Sequence, residues 1–171
     1  AYTSLKYLDK AALSTIIVVG IVLLGISYFV AQHHTCDPTY GMRVLAGFVV
    51  LMVIMEAIKL MWGRPRYYSI LEMGQSFRAV YMPKPLGLEE AFKSFPSSHT
   101  ALATLSLFYV DHPLIRKYKD KGVWIVGLWI VLVAYSRIAM GWHYLTDVTM
   151  GFALSYGVNY WINRVKYCEK A

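Results

Sequence analysis

The sequence predicts an all-α membrane protein: a polytopic helix bundle with five transmembrane helices in a single integral-membrane domain, residues 1–171, and a short interfacial segment between the second and third spans. Three observations predict it. Uncharged apolar runs recur along the chain, several of them near the ~20 residues a helix needs to cross a bilayer. Only 16% of the residues are charged and 57% are hydrophobic, whereas a soluble domain carries roughly 25% charge. Tyr (14) and Trp (5) are abundant, as suits side chains that sit at a membrane interface. The net charge of +7 is then a topology signal first, and no nucleic-acid partner is expected.

Each element follows in order. Residues 1–10 carry Lys6 and Lys10 among Tyr and Leu, a pattern suited to an interfacial turn. Ala11 to Val30 is the first span, too long for the apolar core of a removable leader. Gln32 to Tyr40 is a polar loop with His33, His34 and Cys36. Gly41 to Trp62 is the second span, with Glu56 and Lys59 near its end. Ionisable groups at such depth point to function, the plain alternative being an ion pair one helical turn apart. Gly63-Arg64-Pro65-Arg66 breaks the helix, because proline lacks a donor and clashes with the turn before it. Residues 67–95 are polar and aromatic and form the interfacial segment. The third span opens on Phe95-Pro96-Ser97-Ser98-His99-Thr100 and runs to about Val110. Its serines and proline suit a helix cap, and the unpaired N–H groups there also suit an anion. Asp111 to Lys121 is a basic loop, Gly122 to Ser136 the fourth span, and His143 to about Asn163 the fifth.

Five spans place the Lys59–Phe95 region and the Arg137–His143 turn on one face. The opposite face holds Arg116, Lys117, Lys119 and Lys121 in a short loop and Arg164, Lys166 and Lys170 in the tail. The positive-inside rule puts that basic face in the cytoplasm and the other outside. Cys36 and Cys168 then both face the cytoplasm, so free thiols are expected. Counted from the cytoplasmic helix ends, Lys59, His99, Arg137 and Asp147 all lie about 12–16 residues up, or roughly 18–24 Å into a core about 30 Å thick.

The chemistry collects at that level. His143 and Asp147 are four apart, which on a helix places them on one face. An aspartate there accepts the proton of one ring nitrogen and leaves the other free to attack. Lys59, Arg66 and Arg137 supply positive charge, with Arg64 the alternative to Arg66, and the Ser97-Ser98 helix start supplies donors. A site this cationic fits an anion with several oxygens. Two histidines at a phosphate site suggest a nucleophile and a proton donor. A metal held by His99, His143 and Asp147 is the alternative, but three nearby cations would repel a divalent ion. No metal and no cofactor are expected.

These residues resemble the type 2 phosphatidic acid phosphatase family of membrane lipid phosphatases. The family pattern is Lys-x6-Arg-Pro, then Pro-Ser-Gly-His, then Ser-Arg-x5-His-x3-Asp. Ser136, Arg137, His143 and Asp147 match the third part in full. Pro96-Ser97-Ser98-His99 matches the second, with Ser98 in place of glycine. Lys59 and Arg66 match the first by spacing, followed by Tyr67 in place of proline, while Arg64-Pro65 supplies the dipeptide two residues early. The resemblance implies that His143 attacks phosphorus to form a phosphohistidine, that Asp147 holds its tautomer and that His99 protonates the leaving oxygen. It also implies that Lys59, Arg66, Ser97, Ser98 and Arg137 cradle the phosphate without a metal. Members of the family usually have six spans, one more than counted here.

The expected function is hydrolysis of a phosphomonoester or pyrophosphate on a membrane lipid: lipid A 1-phosphate, phosphatidylglycerophosphate, undecaprenyl pyrophosphate or phosphatidic acid. The expected location is the cytoplasmic (inner) membrane, with the site facing the periplasm or outer leaflet. The expected partners are the lipid substrate and the bilayer. The competing class is a non-catalytic lipid-phosphate binder or transporter component.

Overall fold

The computed structural model describes residues 39–83, 90–110 and 116–164, and among them every regular element is helical. The first predicted span (Ala11–Val30), the histidines and cysteine of the loop after it, Lys84, Glu89 and the tail with Cys168 lie outside the described residues. Contacts divide the chain into two units, residues 1–45 and 46–171. Of the first unit only 39–45, the opening turns of a helix, are described.

Six helices follow in order: α1 (Thr39–Trp62), α2 (Tyr67–Met73), α3 (Ser98–Leu105), α4 (Leu107–Val110), α5 (Lys119–Ala139) and α6 (Leu145–Arg164). Short 3-10 turns cover Glu90–Phe92 and Arg116–Tyr118. Among the described residues, α1 and α5 are long and apolar enough to cross a membrane. Helix α5 exposes Trp124, Ile125, Leu128, Val131, Leu132 and Tyr135 along its length. In water such a continuous apolar surface would be a liability.

The predicted third span differs from expectation. It is two short helices, because Ser106 turns the chain between them. Both its N–H (3.2 Å) and its hydroxyl (2.5 Å) go to the Ala103 carbonyl, offering the backbone an alternative to the helical ladder. From Ser98 to Val110 the pair covers only about 20 Å at ~1.5 Å per residue, short of a ~30 Å hydrocarbon core. The fourth predicted span is longer than expected at both ends, and the fifth begins two residues late, at Leu145. The predicted interfacial segment contributes one two-turn helix, α2. The stretch after it is pinned where the Trp62 indole N–H donates to the Val80 carbonyl at 2.6 Å.

Within the second unit the core is built from Leu51 and Met55 of α1, Ala101 and Leu105 of α3, Phe108 of α4, and Val148, Val158 and Ile162 of α6. Helix α3 is the central element, packed against both α5 and α6. Its contact with α6 is unusually close at Gly151, where a Cβ would overlap the Ser97 carbonyl oxygen. That approach sets the start of α3 beside the start of α6, and both carry candidate site residues. Gly151→Ala is therefore expected to destabilise the protein by about 1–3 kcal/mol through overpacking against backbone. Gly157→Ala, on the same helix but with nothing within 4 Å, is expected to be neutral or to gain up to ~1 kcal/mol in helix propensity. Thermal melting of both variants in one detergent checks the contrast.

Candidate active site

The turn between α5 and α6 carries the candidate nucleophile. Gly141 makes the turn, with φ +68°, a left-handed backbone that costs other residues about 1 kcal/mol or more. The Arg137 carbonyl then accepts from the N–H groups of Trp142 (3.1 Å) and His143 (3.3 Å), which fixes His143 just outside either helix. Its ring is buried, and Nδ1 lies 2.7 Å from the Ser94 carbonyl oxygen. A carbonyl can only accept, so Nδ1 carries the proton and Nε2 keeps its lone pair. Burial pushes the His143 pKa below its ordinary value of 6.5, and the Arg66 charge adds to that, against the opposing pull of Asp147. The imidazole is neutral near pH 7, the form a nucleophile needs.

Asp147 does not meet His143 as the sequence suggested. The expected shared helix face is absent because α6 starts only after His143. Asp147 instead reaches back to accept the Tyr144 N–H at 3.0 Å, the carboxylate half of a capping box. Its Oδ2 also accepts from the Ser94 hydroxyl at 2.5 Å and stands 3.8 Å from His143 Nδ1. Its Oδ1 is taken by the Arg64 guanidinium. The carboxylate is fully buried. Asp147 thus acts on the ring at a distance, and the Ser94 carbonyl makes the direct bond.

The two arginines separate by their partners. Arg64 is locked inside: its Nη1 also donates to Thr146 Oγ1 (2.6 Å), its Nε donates to the Arg78 carbonyl (2.9 Å), and it stacks 4.1 Å from the Tyr144 ring centroid. Arg66 lies over the Trp142 indole at 4.5 Å, with Nη2 donating to Glu90 at 3.1 Å, and its charge is felt at His143. Of the two, Arg64 pairs with a fully buried carboxylate and Arg66 with an exposed one. Lys59 is paired with Glu56 at 2.9 Å, the ion pair one turn apart that the sequence allowed. Arg137, half-buried at the end of α5, donates from Nε to the Ser136 hydroxyl at 3.3 Å.

At the start of α3, Ser97 is a conventional cap. Its hydroxyl accepts from Thr100 Oγ1 at 3.1 Å and, at 3.5 Å, from the Thr100 N–H, and its own N–H donates to the Asp147 carbonyl at 3.0 Å. The Ser98 hydroxyl is buried and has no hydrogen-bond partner among the described residues. An unsatisfied hydroxyl at a helix N-terminus can take an anion oxygen. His99, half-buried, sits in that same first turn. Among the described residues no three His, Cys, Asp or Glu side chains are grouped to hold a metal ion.

Ser94, Glu90 and Trp142 were not legible as site residues. Ser94 and Glu90 lie in a polar segment with no periodic pattern, and only folding brings them to Asp147 and Arg66.

Residues 40–169 match the PAP2 superfamily. The chain belongs to that superfamily. The phosphatidylglycerophosphatase B of Bacillus subtilis (strain 168) is 41% identical over 76 residues, covering 41% of this chain and 37% of that protein. Sphingosine-1-phosphate phosphatase 1 of Mus musculus is 26% identical over 138 residues, covering 78% of this chain and 29% of that protein. The rat protein of the same name is 27% identical over 143 residues, covering 78% of this chain and 29% of that protein. The chain spans about a third of the length of these relatives. No solved structure matches it.

Within this PAP2 chain, Arg64 and Arg66 are expected to fail differently when truncated. Arg64→Ala leaves the Asp147 carboxylate buried without its cation and is expected to cost about 3–5 kcal/mol of stability. At roughly 2–4 °C per kcal/mol, that is a melting shift on the order of 10 °C. Arg66→Ala, whose partner Glu90 is mostly exposed, is expected to melt within a few degrees of wild type. Differential scanning of the two variants decides the assignment.

Proposed function

We propose that this chain is an integral-membrane lipid phosphatase that hydrolyses a phosphomonoester or pyrophosphate on a membrane lipid through a phosphohistidine, without a metal ion. One observation supports this above the others: a buried, neutral His143 whose Nδ1–H is fixed on a carbonyl, so that Nε2 is the free and nucleophilic nitrogen. Nε2 attacks phosphorus, the bond from phosphorus to the leaving oxygen breaks, and His99 gives that oxygen a proton. Water, losing a proton to His99, then attacks the phosphohistidine and breaks the P–N bond, which returns both histidines to their starting states. Arg66, Lys59, Arg137, the Ser98 hydroxyl and the N–H groups of α3 stabilise charge on the transferring phosphoryl group. The phosphohistidine ring is cationic, and Asp147 at 3.8 Å stabilises it electrostatically.

Membrane integration is supported by the length and apolar character of α1 and α5 and by the exposed apolar surface of α5. The basic residues at 116–121 and 164–170 support a cytoplasmic side for those ends in an inner membrane, with the site on the periplasmic or outer-leaflet side. Among the candidate lipids, phosphatidylglycerophosphate has the backing of the Bacillus subtilis relative's name, and the rodent relatives add a sphingoid phosphate. Lipid A 1-phosphate, undecaprenyl pyrophosphate and phosphatidic acid complete the panel.

Phosphate release by purified protein in detergent tests this. Release is expected to withstand EDTA and to fall by at least about 10³-fold in His143→Ala. Lipid phosphate binding without release would establish a binder instead. The sign of the pH dependence also follows. Because burial holds His143 below 6.5, the free nitrogen stays unprotonated as pH falls through 6.5, and kcat/KM is expected to drop only further into acid. A rate profile already halved at pH 6.5 on its acid side would contradict the buried geometry.

A further inference from the structure

Glu90 stands at the outer edge of the cationic cluster, and its environment is built rather than incidental. Its Oε2 accepts from Arg66 Nη2 at 3.1 Å, and its Oε1 lies 3.6 Å from Lys93 Nζ. The backbone holds it there: the Arg66 N–H donates to the Ala91 carbonyl at 2.9 Å, the Ser69 hydroxyl donates to the same carbonyl at 3.2 Å, and the Lys93 N–H donates to the Glu90 carbonyl at 3.2 Å. Side-chain exposure rises along the series, from 4% at His143 through 9% at Arg66 and 18% at Lys93 to 66% at Glu90. Glu90 therefore marks the open side of the cluster and pairs with two cations at once.

A lipid diphosphate meets this arrangement badly. Attack by His143 on its terminal phosphate puts that phosphate beside Arg66. The second phosphate, nearer the lipid, then lies at the outer edge of the cradle. A carboxylate stands in that region and repels it, and Lys93, the cation beside it that would have neutralised the second phosphate, is already paired with that carboxylate. A phosphomonoester carries no second phosphate and avoids both penalties. We propose that Glu90 is a specificity-determining residue that restricts the site to phosphomonoesters by repelling a second phosphate and masking Lys93. This rests on the phosphatase reading above and narrows its substrate class.

The test uses the full chain in one detergent. Wild type, Glu90→Gln, Lys93→Met, the Glu90→Gln/Lys93→Met double variant and His143→Ala are assayed for phosphate release from phosphatidic acid and from a polyprenyl diphosphate at equal mole fraction. Glutamine keeps the size and an acceptor for Arg66 while removing the charge. Wild type is expected to favour the monoester. Glu90→Gln is expected to raise the diphosphate-to-monoester ratio of kcat/KM on the order of tenfold, mainly through KM for the diphosphate, a size set by charge at an exposed site. Adding Lys93→Met is expected to remove most of that gain. A wild type that prefers the diphosphate, or a ratio unchanged in Glu90→Gln, overturns the inference and leaves the phosphatase reading standing. An equal loss of rate on both lipids in Glu90→Gln also overturns it, since Glu90 would then only orient Arg66. Release by wild type from neither these two lipids nor any other of the panel above overturns the phosphatase reading itself, and the inference with it.

Discussion

The site depends on one buried carboxylate. Asp147 has no solvent exposure, and an ion removed from water in this way is tolerated only when donors and an opposite charge surround it. Arg64 supplies the charge, and Ser94 and the Tyr144 N–H supply donors. Each of these demands has a structural consequence. Arg64 must leave α1 and turn inward, which Pro65 assists by ending the helix. Its own carbonyl then accepts the Ser94 N–H at 3.1 Å, so the segment that enters α3 is tied to the segment that leaves α1. The Asp147 carbonyl accepts the Ser97 N–H, which sets the start of α3 against the start of α6. Three chain segments far apart in sequence are thereby held at one point.

This use of Asp147 changes what reaches the histidine. With both carboxylate oxygens committed, the ring finds a neutral carbonyl as its hydrogen-bond partner. A carboxylate bonded directly would favour the protonated ring more strongly and weaken its attack at neutral pH. The carbonyl fixes the tautomer without that effect. Asp147 remains near enough, at 3.8 Å, to stabilise a positive charge on the ring. Orientation and charge stabilisation are thus carried by two groups, with Ser94 linking them: its carbonyl faces His143 and its hydroxyl faces Asp147.

Part of this was legible in the sequence, for identifiable reasons. Motif spacing picks out His143 and Asp147, which the fold brings to within 3.8 Å, because those residue types are costly in an apolar chain. The long runs at α1 and α5 read directly as helices. What failed was geometry that depends on partners. The His143–Asp147 spacing suggested a helical face, but a capping contact starts the helix after His143. The apolar run to Val110 suggested one span, but the Ser106 side chain competes with the ladder. Spacing favoured Arg66 over Arg64, and only the fold shows why two arginines are present: one neutralises a buried carboxylate and the other is left near the nucleophile.

The exposure of the partner, rather than of the cation, separates these roles. Lys59, Arg64 and Arg66 are all largely buried and all paired with a carboxylate, so burial alone would treat them alike. Asp147 cannot regain water if Arg64 leaves it, so that pair does not exchange for a ligand. Glu56 and Glu90 have side chains 45% and 66% exposed, and water can replace their cations at little cost. An incoming anion could therefore take Lys59 or Arg66 from its partner at little cost, whereas Arg64 is held by a carboxylate that has no water to return to.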